Sequence, residues 1–220
     1  MSHISRQEKP KKWPIEKKGT TYLVSPNSNI KEGLALLTIL RDILKVADNR
    51  KEVKTIIHER KILVNEKPAT DEKNSILFFD TIKIIPMKKV YRLELTANGK
   101  FDVKEIKENE AEKKITKVVN KKILKGKKIQ LNFSDGRNLI SEEKCNMNDS
   151  VVINFKNNKI EKILPLKEKS KVIVFSGKHA GKNGEVEKLD LKEKTAKIKT
   201  DEKQINILIK QLMVVEWQKK

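Results

Sequence analysis

The hydrophobic period changes once along this chain, and that change limits the folds open to it. Up to about residue 60, apolar residues recur three and four apart, first as Leu34, Leu37, Leu40, Leu44 and Ala47, then as Val53, Ile56 and Ile57. That spacing lays one apolar stripe along a helix. From Met87 to Leu164 the period is two, as in Tyr91-Leu93-Leu95 and Phe101-Val103. Alternation of this kind marks strands with one buried face. Helices followed by short strands give an α+β chain. The strand runs are brief and cut by turn signals, so several small modules are expected rather than one broad sheet.

The helical part is a hairpin with recognisable starts. Asn29 with Glu32 has the capping-box pattern, and Asp48-Asn49 with Glu52 repeats it for a second helix. A short strand, Tyr22-Leu23-Val24, and the turn Pro26-Asn27-Ser28-Asn29 precede the first helix. The strand Ile62-Leu63-Val64, a polar turn at Asn65-Glu66-Lys67-Pro68 and a return strand closed by Phe79-Asp80-Thr81-Ile82-Lys83-Ile84-Ile85 follow the second. Arg41, Lys45, Arg50, Lys51, Lys54, Arg60 and Lys61 all fall on the hairpin, without acids at matching positions. Cations so gathered are expected to contact phosphate. Ahead of them, residues 1–18 hold six Lys and Arg (Arg6, Lys9, Lys11, Lys12, Lys17, Lys18) against two Glu, with no apolar period. Such a segment is expected to order only against a partner. Within it, Lys11-Lys12-Trp13 joins cations to one ring, which either stacks on RNA or plugs the first domain.

The β part reads as a middle domain and a final one. Asn98-Gly99 is a hairpin turn, Glu108 to Lys114 a short helix, and Ser134-Asp135-Gly136-Arg137 and Asn157-Asn158 turns between strands at 115–119, 129–133, 151–155 and 160–164. Pro165 to Ser170 is charged and reads as a linker. After the strand Lys171-Val172-Ile173-Val174-Phe175 come Gly177, Gly181 and Gly184, with Lys178, His179, Lys182 and Asn183 on the same loop. Glycines so spaced meet a need for positive φ or for close backbone approach. This is not a nucleotide loop, because Gly181-Lys182 precedes Asn183 rather than Ser or Thr, and Glu185-Val186 continue as a strand, not a helix. Strands at 195–199 and 205–207 complete the domain.

Charge narrows the partner. Fifty Lys and Arg against thirty Asp and Glu leave a formal charge of +20. A compact chain so charged repels itself unless a polyanion neutralises it, and nucleic acid is the first candidate. Cys145 is the single cysteine, and His3, His58 and His179 are scattered, so neither a disulfide nor a zinc set is expected. No cofactor, small-molecule substrate or membrane span is expected, and the chain reads as soluble and intracellular. An RNA-modifying enzyme would need a catalytic domain. Beyond residue 85 there is no Cys-His pair, His179 lacks an Asp or Cys partner in sequence, and Asp135 and Asp149 sit in turns, where Asp is common for backbone reasons.

The order of parts carries a family resemblance. The unit at 30–85 resembles the small RNA-binding domain named for bacterial ribosomal protein S-four. The segment Val174-x-x-Gly177-x-x-x-Gly181-x-x-Gly184-x-Val186 resembles the KOW motif of small five-stranded barrels. With Lys11-Lys12-Trp13, Phe79-Asp80-Thr81-Ile82, Asp135-Gly136-Arg137-Asn138 and Asn148-Asp149-Ser150-Val151, the whole chain is similar to the archaeal and eukaryotic small-subunit ribosomal protein family S-four-e. It departs from the family at Pro26-Asn27-Ser28-Asn29 and at Ala69-Thr70-Asp71, so contacts at 26–29 and 69–77 are not expected. The resemblance implies a basic extension at 1–20, an S-four-like RNA-binding domain at 21–88, a central β domain at 89–166 and a KOW barrel at 167–220. It also implies a non-enzymatic scaffold on the cytoplasmic ribosome, with small-subunit rRNA and neighbouring small-subunit ribosomal proteins as partners. A transcription or translation factor gripping a protein through the barrel is the alternative reading.

Overall fold

The computed structural model describes residues 3–124, 128–141, 145–200 and 203–216. It divides into two compact units, one of residues 1–96 and 100–112, the other of residues 97–99 and 113–220.

In the first unit, His3–Ser5 (β1) pairs antiparallel with Tyr22–Val24 (β2). Gly33–Ala35 (β3) runs into a single α-helical turn, Leu36–Thr38 (α1), and then a π-helical turn, Ile39–Ile43. Arg50–His58 (α2) precedes the strands Ile62–Val64 (β4), Lys67–Pro68 (β5), Ser75–Leu77 (β6), Thr81–Ile84 (β7), Lys89–Leu95 (β8) and Phe101–Ile106 (β9). A helical turn, Glu108–Ala111 (α3), closes the unit. The main sheet has the order β5-β4-β7-β8-β9, and β6 pairs instead with β3.

The start of the first helix differs from expectation. Asn29 takes φ 48° and its carbonyl accepts from the N–H groups of Glu32 and Gly33, which makes a turn rather than a cap. The chain stays extended to Ala35, and the helix begins at Leu36. There the carbonyls of Asn74 and Glu72 accept from the Leu36 and Leu37 N–H groups at 3.0 and 2.9 Å, satisfying donors that a helix start leaves free. Leu34 through Leu37, Ile39 and Leu40 are all fully buried, so the apolar run faces protein on every side and its period does not separate strand from helix. The Leu44 N–H reaches back five residues to Ile39, and Lys45 leaves the helix at φ 51°. The second start is as expected. The Asn49 side chain accepts from the Glu52 N–H at 2.9 Å, and the Glu52 carboxylate accepts from the Asp48 N–H at 2.8 Å.

Residues 3–20 are built into this unit and are no partner-dependent tail. Besides the β1–β2 pairing, the Arg6 guanidinium donates to the carbonyls of Thr20 at 2.5 Å and Glu16 at 2.9 Å. Trp13 is 1% exposed and its indole N–H donates to the Gly33 carbonyl at 3.0 Å. Of the two roles open to that ring, plugging the domain is the one it plays.

The second unit holds two five-stranded antiparallel sheets. The first comprises Lys113–Ile123 (β10), Ile129–Phe133 (β11), Asn138–Ser141 (β12), Ser150–Asn154 (β13) and Lys159–Leu164 (β14), in the order β12-β11-β10-β13-β14. Val118, Leu131, Phe133, Cys145, Val151 and Ile153 form its core. The other comprises Lys171–Val174 (β15), Asn183–Asp190 (β16), Thr195–Lys199 (β17), Gln204–Leu208 (β18) and Leu212–Val214 (β19), in the order β18-β17-β16-β15-β19. Its core gathers Val172, Val174, Val186, Ile198, Ile209 and Leu212, with Leu164 of β14 and half-buried Leu166 packed in.

The first unit runs past the boundary expected at 88. β8 and β9 extend the first unit's sheet, because Val90, Tyr91, Leu93 and Leu95 bury against it, so the first unit runs to residue 112. The segment 165–170 is no free linker. The Leu166 N–H donates to the Asp149 carboxylate at 3.0 Å and the Lys169 N–H to the Val186 carbonyl at 2.7 Å.

Candidate nucleic-acid interface

Helix α2 is amphipathic, with Val53 and Ile57 buried and Lys51, Lys54 and His58 exposed on the i, i+3, i+7 positions of its outer face. The expectation that the seven hairpin cations lack matching acids does not hold for four of them. Arg41 makes two 2.9 Å hydrogen bonds to Asp42, which hold its pKa above the ordinary arginine value. Arg50 donates to Glu72 at 2.8 Å and its pKa is likewise raised by that hydrogen bond, while Lys54 stands 3.9 Å from the same carboxylate. Lys61 pairs with Glu59 at 2.5 Å. Glu72 is 2% exposed and lies 22 residues from Arg50, so nothing in the local sequence announces the pair. Lys45, Lys51 and Arg60 are exposed and form no ion pair among the described residues. Of the lead-in residues, Lys11 is exposed, Lys12 pairs with Glu32 at 2.9 Å, and Trp13 is buried and therefore removed from any stacking role.

In the second unit the glycine loop is a tight connection between β15 and β16. Gly177 and Gly181 take φ 90° and 88°. The Gly181 N–H donates to the Val174 carbonyl at 2.7 Å, and the Val174 N–H to the Lys182 carbonyl at 3.0 Å. Lys178 and Asn183 are exposed, His179 and Lys182 half-buried, and neither lysine has an ion pair among the described residues. Gly184 meets its constraint differently from the other two. It lies inside β16, and a Cβ there would sit 2.5 Å from the Lys199 carbonyl oxygen.

One pair of cations was not legible in the sequence. Lys188 of β16 lies directly opposite Lys197 of β17, both exposed. A shift of register between Val186 and Lys188 creates this pairing, and such bulges cannot be read from alternation alone. Like charges directly opposite destabilise a sheet unless something answers them. The neighbouring row is different, since Glu185 stands between Lys171 and Lys199.

The ionisable groups that are buried serve the fold. Asp135 pairs with buried Lys114 at 3.0 Å and accepts from the Arg137 N–H at 3.1 Å. Asp149 accepts from the N–H groups of Asn146 and Leu166 at 2.9 and 3.0 Å. Burial alone would raise the pKa of Glu94, but hydrogen bonds from Lys104 and Arg92 hold it below the ordinary glutamate value. Lys117 is buried and donates to the Ile209 carbonyl, and that burial lowers its pKa to about 7. Among the described residues there is no cluster of His, Cys, Asp and Glu able to hold a metal ion, and no helix long and apolar enough to cross a membrane.

Fold and charge together define a basic, mostly β protein that displays cations on a short helix, a glycine loop and a strand pair. Comparison with known proteins makes the class specific. Residues 87–160 match the model of the ribosomal family S4e. The small ribosomal subunit protein eS4 of Methanocella arvoryzae is 36% identical over 198 residues, covering 89% of this chain and 84% of that protein. The eS4 protein of Methanothermobacter thermautotrophicus is 34% identical over 192 residues, covering 86% and 79%. The crystal structure of the 30S ribosomal protein S4e from Thermoplasma acidophilum superposes with a TM-score of 0.71 at 25% identity, over 84% of this chain and 95% of that one. The chain belongs to the S4e family of ribosomal proteins.

Proposed function

We propose that this chain is a structural constituent of the small ribosomal subunit, where it binds and scaffolds rRNA without chemistry of its own. Its partners are small-subunit rRNA and neighbouring small-subunit ribosomal proteins, and its place is the cytoplasmic ribosome. The helical part of the first unit acts as the S-four-like RNA-reading element, and residues 167–220 act as a KOW-type barrel. The observation that carries this reading is the set of exposed, unpaired cations on and beside α2, Lys45, Lys51 and Arg60, in a chain with a net charge of +20 from a ribosomal family. Exposed Lys178, Lys188 and Lys197, with half-buried Lys182, extend it to the second unit.

The mechanism is electrostatic. Cations held in fixed geometry replace the counterions condensed along folded RNA, and release of those ions drives association. Arg41, Arg50 and Lys61 contribute less, because carboxylates of the chain already answer their charge. The test is reversal of Lys45, Lys51 and Arg60 together to Glu. Binding to small-subunit rRNA should weaken, and the slope of log K against log salt should become shallower by roughly two to three. Stability should stay within about 0.5 kcal/mol per site, since the three are exposed. Unchanged affinity and slope would remove α2 from the interface.

A further inference from the structure

We propose that a cleft between the β1–β2 pair and the start of α2 receives a single unstacked RNA base, stacked on Tyr22 with its phosphate at Arg50. The proposal rests on the rRNA-binding reading and names a ligand that the charge argument does not require. The cleft has a volume of about 450 Å³ and is lined by His3, Tyr22, Leu23, Val24 and Arg50. That volume lies within the range of about 300–1,000 Å³ typical of clefts that hold small molecules and cofactors.

Three observations point to a base. Tyr22 is 62% exposed and is the only Tyr, Trp or Phe among the large exposed apolar side chains of the described residues. The cost of leaving one large ring in water is recovered when a base covers it, and every base offers a π face. His3 meets Tyr22 edge-to-face, with ring centroids 4.9 Å apart and planes at 76°, and the Tyr22 side chain stays largely open to solvent beside it. Arg50 supplies a hydrogen-bond donor rather than surplus charge, through its Nη1 group, which has no partner among the described residues. Glu72 receives its Nε and Nη2 groups, which fixes the guanidinium, yet the side chain remains 51% exposed. A fixed, half-exposed guanidinium beside an open ring suits one nucleotide of a single strand, its base on the ring and its phosphate at that donor. A duplex keeps its bases stacked inside and cannot offer one to the cleft.

The experiment compares two RNA probes of equal length, a single strand of mixed sequence and the corresponding duplex, binding to the full chain and to Tyr22→Ala and Tyr22→Phe variants. Circular dichroism confirms that both variants are folded. Tyr22→Ala should weaken single-strand binding about tenfold, the loss expected for one base–ring stack, and leave duplex binding unchanged. Tyr22→Phe should bind both probes as the native chain does, because the ring and not the hydroxyl carries the contact. Equal affinity of the Tyr22→Ala variant and the native chain for the single strand would overturn the proposal, and so would an equal loss on both probes. If the native chain binds both RNAs with a steep salt dependence while Tyr22→Ala changes nothing, the cleft assignment fails and the scaffold reading stands. If the native chain binds neither RNA, both fail.

Discussion

Trp13 shows how a residue beside two lysines is claimed by the fold. Its ring is buried and its indole N–H is held by the Gly33 carbonyl, so it contributes packing rather than a stacking surface. Trp13→Ala should cost about 3–5 kcal/mol in chemical denaturation, as for other large buried rings. A variant of native stability with weakened RNA binding would reverse that assignment. Lys117 makes a pH-dependent contribution whose sign follows from its burial. The folded chain releases the proton near 7, whereas the unfolded chain keeps it up to the ordinary value of 10.5. Between those values the unfolded state binds more protons, so stability from this site rises with pH. The native chain should therefore gain stability relative to a Lys117→Met variant between pH 7 and 10, measured by denaturation at several pH values. A difference that stays flat across that window would mean that Lys117 is not buried as described.

At the scale of elements, Gly184 and Gly136 separate two reasons for glycine. Gly136 takes φ 86°, but a Cβ added there would have nothing within 4 Å, so alanine meets backbone strain alone, about 1–2 kcal/mol. Gly184 lacks positive φ but faces the Lys199 carbonyl oxygen and the Ile198 Cγ2, each 2.5 Å from a Cβ. Gly184→Ala should lower the melting temperature more than Gly136→Ala, and Gly184→Val should unfold the sheet of β15–β19. The reverse order of the two alanine variants would contradict the close approach. Local signals were the legible ones. The Asn49–Glu52 cap of α2 and the turn glycines Gly99, Gly136, Gly177 and Gly181 depend on residues a few positions apart. β3 was hidden by burial on all sides, β12 by a pattern that leaves Asn138 and Ile140 exposed, and β19 by a continuous buried run. The Arg50–Glu72 pair and the Lys188–Lys197 juxtaposition depend on tertiary contact and on a register shift, neither of which a linear reading supplies.

For the whole molecule, charge is the quantity that survives every local correction. Carboxylates of the chain answer many of its cations, among them Arg41, Arg50, Lys83, Arg92, Lys104, Lys113 and Lys114. With fifty basic and thirty acidic side chains, complete internal pairing still leaves an excess of twenty. On the proposed reading, scaffolding by this chain consists of presenting that excess to phosphate from its sheets and a capped helix. The most direct measurement is the dissociation constant of the full chain for small-subunit rRNA as salt rises from about 50 to 200 mM. With six or more phosphate contacts, affinity should fall by about a thousandfold or more over that range. An affinity that barely responds to salt would contradict the claim that surplus charge holds this protein to RNA.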